Sequence, residues 1–523
     1  MVMSEIRRAA VASPIPNRQR SPRAVHLSVE YWPWARTGGL AEAVRGLAES
    51  LHAGGVPTAM ILPLHRGVRE AGLDLEPVGD AFRVLLGTRE EPGRLFRLRE
   101  PVAGPPVYFI DHPDYFDRAE IYGEPGSDYP DNARRFGFFT AAALHVLPDL
   151  VPDARVAHVH DWHTALAPVL ARTRLAGNPY YDRLGTVLTV HNAGFQGHFA
   201  VETLADLGLP TSLADDRWLG WYGGVNWLKG GLMFADRVTT VSPTHARELR
   251  TATGGFGLHE AFDGLRHRFV GIVNGITLER WDPTTDPAIP ARFSARVLEG
   301  KYRCKAGLQA ASGLAVDPAT PLIGMSARMV GQKGLPIIVE SLCSLSQEAQ
   351  FIFLGRGEPQ FERALQELAA AAPDRIAFDK GFTDDAEHRL LAGVDILLMP
   401  SLYEPCGLTQ MRAQRYGAIP VARRVGGLVD TIEDGVTGFL FDEYSAPALQ
   451  QAVRRAVQGY ATPAAWQAHV RAAMRRDFGW ARSAAAYREA YRLASGGNFA
   501  LARVSRAREE TPWIAPQHSS CAT

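Results

Sequence analysis

Short apolar runs alternate with stretches of helical spacing in two successive series along this chain, and this alternation restricts its fold more than any other feature. The first series has strand candidates at Val25–Val29, Thr58–Leu62, Val107–Ile110, Val156–Val159, Thr186–Val190 and Arg237–Val241. The second series has strand candidates at Leu322–Ser326, Phe351–Leu354, Ile376–Phe378, Ile396–Pro400, Ile419–Ala422 and Phe439–Phe441. Helical stretches follow most of the second set, at Leu335–Leu345, Phe361–Ala371, Ala386–Ala392, Leu408–Tyr416 and Ala446–Val457. The pattern predicts the α/β class, with two doubly wound, Rossmann-like domains of parallel strands facing each other across a cleft.

Between the two series, the proline-rich stretch Asp282–Pro290 is typical of a linker. We therefore expect an N-terminal domain over 24–275, a linker region over 276–318 and a C-terminal domain over 319–470. A helix within 471–496 is expected to return to the N-terminal domain. Residues 1–23 and 497–523 are aperiodic and are predicted to be a disordered leader and tail.

Composition narrows the class of protein. The 523 residues carry no formal net charge, so nothing marks the whole chain as a partner of nucleic acid or of an anionic membrane. No apolar run reaches the roughly 18 residues of a membrane-spanning helix. The four cysteines are scattered without a CxxC pair, as in a reduced cytoplasmic protein with neither disulfides nor structural zinc. The arginine-rich leader lacks the apolar core of a secretory signal, although an organelle transit peptide has a similar composition.

Three loops that follow strand candidates have side chains suited to an anionic sugar donor. Arg36, Gly38 and Gly39 lie at the start of a helix, where exposed backbone N–H groups favour an anion; a plain strand-to-helix turn is the alternative. Arg328 and Lys333 lie five residues apart in a glycine-containing loop and can clamp a diphosphate, although a solvated surface loop has the same composition. Glu404 precedes Pro405, which keeps it out of helical geometry at a strand end. A carboxylate there can stabilise positive charge at an anomeric carbon, or it can simply complement a helix dipole.

A histidine-rich segment, His158-Val159-His160-Asp161-Trp162-His163, allows a metal site as one interpretation. On a strand, His158 and His160 would lie on the same face. A catalytic zinc site needs a further ligand from elsewhere and an open coordination position, so sugar binding or packing is favoured over metal. The ring of Trp162 is suited to the C–H face of a pyranose.

These segments, together with DYFDRAEIYG, DYPDNARRF, TVHNAGFQGHF, NWLKGGLMFADRVTTVSP, GIVNGITLERWDPTTD and SLYEPCGLTQMRAQRYGAIPVARRVGGLVDTI, resemble one family. The family is that of bacterial glycogen synthases and the catalytic core of plant starch synthases. The matching segments follow one another in family order from about Val25 to Trp480. The resemblance implies a retaining glucosyltransferase of the GT-B fold type that takes ADP-glucose as donor and an α-1,4-glucan such as glycogen as acceptor, with neither metal nor cofactor.

The resemblance also assigns residues by position. It implies catalytic roles for Glu404, His191, Asp161, Arg328 and Lys333. It implies donor binding by Arg36, Gly38, Gly39, Asn274, Arg328, Lys333, Glu404, Cys406, Gly407, Leu408, Gly426 and Gly427. Trp162, Tyr122 and Asn132 are the predicted acceptor-side residues.

Three positions depart from the family pattern. Arg36 stands where a lysine is usual, and Glu42 stands where an aspartate is usual. Thr277 stands where the aspartate of the usual NGID motif would be. Arginine and lysine differ in shape and reach, so a different donor or acceptor preference is an open alternative. The rival hypotheses are a related transferase that uses UDP-glucose or makes another α-glucan, and a non-catalytic glucan-binding protein. Glycogen phosphorylase shares the cleft but requires a pyridoxal-bearing lysine.

Overall fold

The computed structural model describes residues 23–99, 104–124 and 126–496. The predictions of a disordered leader and tail concern residues that lie, almost entirely, outside these ranges. Within them, no helix combines the length and the apolar character needed to cross a bilayer.

The N-terminal domain is built on a ten-stranded sheet with the order β15-β14-β10-β9-β1-β2-β6-β5-β3, in which β4 also pairs with β5. The strands of this domain, including the short hairpin strands outside the large sheet, are β1 Ala24–Leu27, β2 Thr58–Pro63, β3 Leu75–Pro77, β4 Phe82–Leu86, β5 Arg89–Leu98, β6 Val107–Asp111, β7 Gly123–Glu124, β8 Ser127–Asp128, β9 Val156–His160, β10 Gly185–Val190, β11 His198–Phe199, β12 Gly220–Trp221, β13 Gly224–Asn226, β14 Arg237–Thr240 and β15 Phe269–Gly271.

From β15 to β6 every neighbouring pair in this sheet is parallel, while β3, β4 and β5 form an antiparallel edge. The six predicted strands of the first series are all present, with ends shifted by one or two residues. The antiparallel edge was not predicted. Its strands are half-exposed and interrupted by charged residues, and they lack the continuous apolar runs of the central strands.

The C-terminal domain has a six-stranded sheet in the order β18-β17-β16-β19-β20-β21, parallel throughout. Its strands are β16 Leu322–Ser326, β17 Gln350–Leu354, β18 Ile376–Asp379, β19 Ile396–Met399, β20 Ile419–Arg423 and β21 Phe439–Phe441. Numbered within the domain, this order is 3-2-1-4-5-6, the arrangement of a dinucleotide-binding fold. The predicted α/β class with two doubly wound domains is confirmed.

Helices cover both faces of each sheet. Those of the N-terminal domain are α1 Gly39–Ala53, α2 Arg66–Glu70, α3 Pro113–Phe116, α4 Asn132–Leu150, α5 Asp161–Thr164, α6 Leu166–Arg172, α7 Pro179–Asp182, α8 Glu202–Asp206, α9 Trp227–Phe234, α10 Pro243–Glu248 and α11 His259–Gly264. The remaining helices are α12 Glu299–Ala311, α13 Leu335–Leu345, α14 Pro359–Ala371, α15 Asp384–Gly393, α16 Thr409–Arg415, α17 Gly426–Thr431, α18 Ala446–Tyr460, α19 Pro463–Met474 and α20 Ala481–Ser495.

The predicted linker over 276–318 is too long. Thirteen of its residues form α12, which packs against α15 and belongs to the C-terminal domain. The sequence pattern did not predict this helix, because α12 lacks an apolar stripe: most of its surface is polar, and its buried positions include Lys301 and Lys305. Both ammonium groups donate to backbone carbonyls, Lys301 to the carbonyl of Val394 at 2.9 Å and Lys305 to that of Thr320 at 2.7 Å.

Within residues 126–496 the chain crosses between the domains twice, and the two crossings lie side by side. Ile276, on the outward crossing, donates its N–H to the carbonyl of Phe478 on the return crossing at 2.8 Å. After the return, α20 packs against β10 and α1 of the N-terminal domain. Its buried residues Tyr487 and Tyr491 share one hydrophobic cluster with Leu47 and Val187. The last described helix therefore completes the core of the first domain.

Candidate active site

In the C-terminal domain, the strand order reverses between β16 and β19, so the loops after these two strands lie next to each other at the carboxyl edge of the sheet. Lys333 comes from the first loop and Glu404 from the second. The Lys333 Nζ lies 2.6 Å from Glu404 Oε2, and Ser401 Oγ donates to the same oxygen at 3.0 Å. Glu404 is buried, while Arg328 in the first loop is exposed. The two predicted loops therefore form a single charged site.

The second glycine pair packs directly onto the backbone of this site. Gly426 has φ +45°, and a Cβ on it would lie 1.9 Å from the carbonyl oxygen of Glu404. The Gly427 N–H donates to that same carbonyl at 3.1 Å. The Gly426 N–H donates to Glu248 Oε1 of the N-terminal domain at 2.8 Å. Glycine is needed here because the two loops approach too closely for any side chain.

The corner that follows Glu404 is held by its own hydrogen bonds. Gln410 Nε2 donates to the carbonyls of Cys406 at 2.9 Å and Gly407 at 3.0 Å. Gly407 has φ +73°, which favours glycine. Burial raises the pKa of the Cys406 thiol to about 12, so this cysteine is a packing residue in hydrogen-bond contact with the backbone of Asn274. Leu408 is half-buried and closes the corner against Gly39 across the cleft, where a Cβ on Gly39 would lie 3.6 Å from Leu408 Cδ1.

The N-terminal sheet has the corresponding reversal between β1 and β9, and here the loop after β1 supplies a buried carboxylate that sequence reasoning missed. Glu30 accepts hydrogen bonds from the Thr37 N–H at 2.8 Å, Thr37 Oγ1 at 2.8 Å, the Gly38 N–H at 3.3 Å and the Tyr122 hydroxyl at 2.6 Å. The N–H of Gly38 is thus directed at a carboxylate of the protein. The sequence signal for Glu30 is its place directly after the strand candidate Val25–Val29, since the loop that carries Glu404 also follows a strand candidate.

Asp161 and His191 stand at the ends of β9 and β10. Asp161 has φ +56°, and its Oδ1 accepts from the backbone N–H of His191 at 2.6 Å and of Asn192 at 3.3 Å. Burial raises the pKa of Asp161 to about 7. Desolvation lowers the pKa of His191 to about 3, so this imidazole is neutral. The predicted pair is brought together, with the carboxylate fixing the backbone that carries the histidine.

The three predicted acceptor-side residues have different environments. Tyr122 is half-buried and its ring stacks on His163 at a centroid distance of 4.8 Å. Asn132 is buried; its Nδ2 donates to the Tyr122 carbonyl at 2.8 Å and its Oδ1 accepts from Arg135 at 2.6 Å. Trp162 is only 8% exposed, with its ring among those of Phe136, Phe199 and Trp227. The structure places Trp162 in the core of the domain. Of the three residues, Tyr122 is the one that hydrogen-bonds to the Glu30 carboxylate.

Arg36 and Glu42, two of the positions that depart from the family pattern, both form ion pairs across the domain interface. Arg36 Nη1 lies 2.7 Å from Asp384 Oδ1. Asp384 also pairs with Arg280 at 2.8 Å, and Glu42 pairs with both Arg280, at 3.3 Å, and Arg412. The guanidinium of Arg36 therefore contacts a carboxylate of the C-terminal domain.

The two halves of the site face each other through Tyr403, the residue before Glu404. Its hydroxyl is in hydrogen-bond contact with the Asn192 side chain, next to His191. Its ring meets that of Phe256 at 5.0 Å. A neutral histidine and an aspartate on one wall thus face a lysine–glutamate pair and an exposed arginine on the other. Such a cleft can bind a diphosphate on the cationic side and a polar, uncharged group on the other.

Comparison with family models matches residues 23–264 to the starch synthase catalytic domain and residues 320–459 to glycosyl transferases group 1. The chain is 41% identical over 476 residues to the glycogen synthase of Syntrophotalea carbinolica, covering 89% of this chain and 97% of that protein. It is 38% identical to glycogen synthase 2 of Geobacter sulfurreducens, covering 90% and 99% of the two chains.

Among solved structures, the chain is similar to the catalytic domain of starch synthase IV from Arabidopsis thaliana bound to ADP and acarbose. The TM-score is 0.84 at 32% identity, covering 91% of this chain and all of that one. Sucrose-phosphate synthase from Thermosynechococcus elongatus shares the fold, with a TM-score of 0.56 at 19% identity.

Proposed function

This chain belongs to the glycogen and starch synthase family of glycosyltransferases, and we propose that it transfers glucose from ADP-glucose to the non-reducing end of an α-1,4-glucan with retention of configuration. Relatives named glycogen synthase align over nearly their whole length. The similar starch synthase structure is described as bound to ADP and acarbose, a nucleotide and an oligosaccharide analogue. Both agree with the chemistry of the two cleft walls.

The observation that carries the proposal is the 2.6 Å contact between Lys333 and Glu404, at the strand reversal of the C-terminal sheet. When the bond between the anomeric carbon and the phosphate oxygen breaks, negative charge grows on the diphosphate and positive charge grows on the sugar. Lys333 and Arg328 are placed to stabilise the first, and Glu404 the second. One ion pair thus supplies both partners that the separating charges need.

In this proposal, the N-terminal wall of the cleft binds the sugar and the acceptor. The neutral imidazole of His191 offers one ring nitrogen to a hydroxyl group, and Asp161 fixes the backbone from which that imidazole projects. We propose that the acceptor hydroxyl attacks the anomeric carbon from the face that the diphosphate leaves, and that its proton passes to the departing phosphate oxygen. The products are ADP and a glucan longer by one residue.

The test is the release of nucleoside diphosphate from each donor. Purified full-length protein is incubated with ADP-glucose or UDP-glucose, with and without glycogen, and product ADP or UDP is measured. We expect glycogen-dependent release of ADP and incorporation of label into the glucan. Faster turnover of UDP-glucose than of ADP-glucose would show that UDP-glucose is the preferred donor. Absence of turnover with either donor, in a protein that still binds glycogen, would favour a non-catalytic glucan-binding role.

A further inference from the structure

Four histidines and one tyrosine form an unbranched, buried chain of hydrogen bonds that begins at His191 and runs away from the cleft. His191 Nε2 lies 3.1 Å from His160 Nδ1, and His160 Nε2 lies 3.1 Å from His26 Nδ1. His26 Nε2 lies 2.9 Å from the hydroxyl of Tyr491, which lies 2.7 Å from His158 Nδ1. The chain ends where His158 Nε2 meets Thr189 Oγ1 at 2.6 Å.

Three of these histidines, His26, His158 and His160, offer ligand atoms within 4.8 Å of one another, as a metal site would. All six of their ring nitrogens, however, have hydrogen-bonding partners within the chain. A metal ion would have to break these contacts in a fully buried place. The geometry is that of a hydrogen-bond chain.

Each imidazole in the chain is neutral, since burial lowers the pKa of His26 to about 3 and those of His158 and His160 well below their ordinary value. A neutral imidazole has one N–H and one acceptor nitrogen. Each link therefore fixes the next, and only two arrangements of protons satisfy the whole chain. In one, every N–H points toward Thr189, and His191 carries its proton on Nε2. In the other, every proton points toward the cleft, and His191 carries its proton on Nδ1.

The hydroxyl groups at the far end favour the first arrangement. Thr189 Oγ1 also contacts Thr239 Oγ1 at 2.6 Å and the Tyr487 hydroxyl at 3.4 Å, and Tyr487 contacts Thr239 as well. When His158 donates to Thr189, each of the three hydroxyl groups can donate its own proton to the next one, and the ring of three hydrogen bonds is complete. When Thr189 must donate to His158, this ring of hydroxyls is broken and one hydrogen bond is lost.

We propose that Tyr491 is a positioning residue for the transfer reaction: its hydroxyl joins the two halves of the chain and so holds His191 with its proton on Nε2 and with Nδ1 as an acceptor for a hydroxyl of the bound sugar. The inference concerns the same site as the proposed function and rests on it for its kinetic consequence. Tyr491 lies on α20, far from the cleft in sequence, and is completely buried.

Removal of the bridging hydroxyl reverses the part of the chain between Tyr491 and the cleft. In Tyr491→Phe, a proton on His26 Nε2 would be a buried donor without an acceptor, which is costlier than a bare nitrogen. The protons on His26, His160 and His191 then point toward the cleft, and His191 Nδ1 becomes a donor. Thr189→Val removes the terminal acceptor and reverses the whole chain in the same way, so it tests the proposal independently of any packing change at α20.

The experiment compares full-length wild type, Tyr491→Phe, Thr189→Val and the control Tyr181→Phe. Tyr181 is also buried in the N-terminal domain, but its hydroxyl donates to the Leu144 carbonyl at 2.7 Å, outside the chain. The tautomer of His191 is read from ¹⁵N-histidine NMR, with its signals assigned by their loss in His191→Asn. We expect the His191 proton on Nε2 in wild type and Tyr181→Phe, and on Nδ1 in the other two variants.

The kinetic expectation is that kcat falls about tenfold or more in Tyr491→Phe and Thr189→Val, a size typical of a misdirected hydrogen-bonding group, while KM for ADP-glucose changes less. An unchanged His191 tautomer in both variants would overturn the proposal, as would an equal loss of kcat in Tyr181→Phe. Zinc that copurifies in stoichiometric amount and is lost in His26→Phe would overturn it too. The NMR result stands without turnover, so failure of the proposed function is distinguishable from failure of this inference.

Discussion

The parallel part of the N-terminal sheet has the same strand order as the C-terminal sheet, but the two sheets carry different side chains at their reversal points. In the C-terminal sheet the loops after β16 and β19 bring together Arg328, Lys333 and Glu404. In the N-terminal sheet the loops after β1, β9 and β10 bring together Glu30, Asp161 and a neutral His191. Cations are concentrated on one wall of the cleft, and uncharged or acidic groups lie on the other. The shared topology fixes where a ligand binds, and the loop residues decide which end of the ligand each domain takes.

This division of labour is tested most strongly at Glu404. In Glu404→Gln the shape is kept while the negative charge that we propose to face the developing positive sugar is lost, so we expect kcat to fall about 100-fold or more. ADP binding, measured by calorimetry, should change little. The control is Glu348→Gln, an exposed carboxylate of the same domain that pairs with Arg454. Retention of more than about a tenth of wild-type kcat would contradict the role.

Lys333→Ala should weaken ADP binding about tenfold as well as slow the reaction, because the product keeps the diphosphate that we propose the ammonium to contact. Titration of ADP into the variant measures this directly. Lys380→Ala removes a similar ion pair, with Glu362 at 2.6 Å, elsewhere in the same domain and should leave ADP affinity unchanged. Equal ADP affinity in Lys333→Ala and wild type would show that the cationic wall does not hold the diphosphate.

On the N-terminal wall, Asp161 should leave a pH signature in stability. Its pKa rises from 3.8 to about 7 on folding, so between these values the folded protein binds a proton that the unfolded chain does not. Stability from this group is therefore present at low pH and is lost as pH rises toward 7, with a slope of up to about 1.4 kcal/mol per pH unit. The buried neutral histidines favour folding as pH rises toward 7, so removal of the opposing contribution in Asp161→Asn should make the urea midpoint rise more steeply between pH 5 and 7 than in wild type. Identical slopes in variant and wild type would contradict the buried, protonated aspartate.

The smallest effect is expected at Arg36, the position that touches both walls. Its guanidinium pairs with Asp384 while 37% exposed, and such pairs contribute about 1 kcal/mol or less. Lysine keeps the charge, so Arg36→Lys should retain kcat/KM for ADP-glucose within about threefold and keep the preferred donor. A drop of more than about tenfold, or ~1.4 kcal/mol, would show a bidentate contact that lysine cannot make. Arg66→Lys, in an exposed pair with Asp117, is the matched control.

The sequence predicted what depends on local pattern and missed what depends on distant pairing. The strands β16 and β21 and the helix α13 have the predicted ends, since buried parallel strands and amphipathic helices have strong periodicity. Arg328, Lys333 and Glu404 were predicted from their loops, and the topology brings them to one edge. By contrast, nothing near His26 in the sequence indicates that its hydrogen-bonding partners are His160 and Tyr491, which lie 134 and 465 residues after it. The pairing of Arg36 with Asp384 could not be predicted for the same reason, since the two residues are 348 positions apart in sequence.

The position of α20 has a consequence for how the protein is made. The helix begins about 210 residues after β15 ends, yet it covers one face of the first sheet and shares its core with α1. During synthesis at roughly 5–20 residues per second, the N-terminal sheet emerges from the ribosome tens of seconds at most before the helix that seals it. Until α20 has been translated, the face of the sheet that packs on Tyr487 and Tyr491 lacks the cover that this helix provides. A premature stop codon before Ala481 would leave that face permanently open.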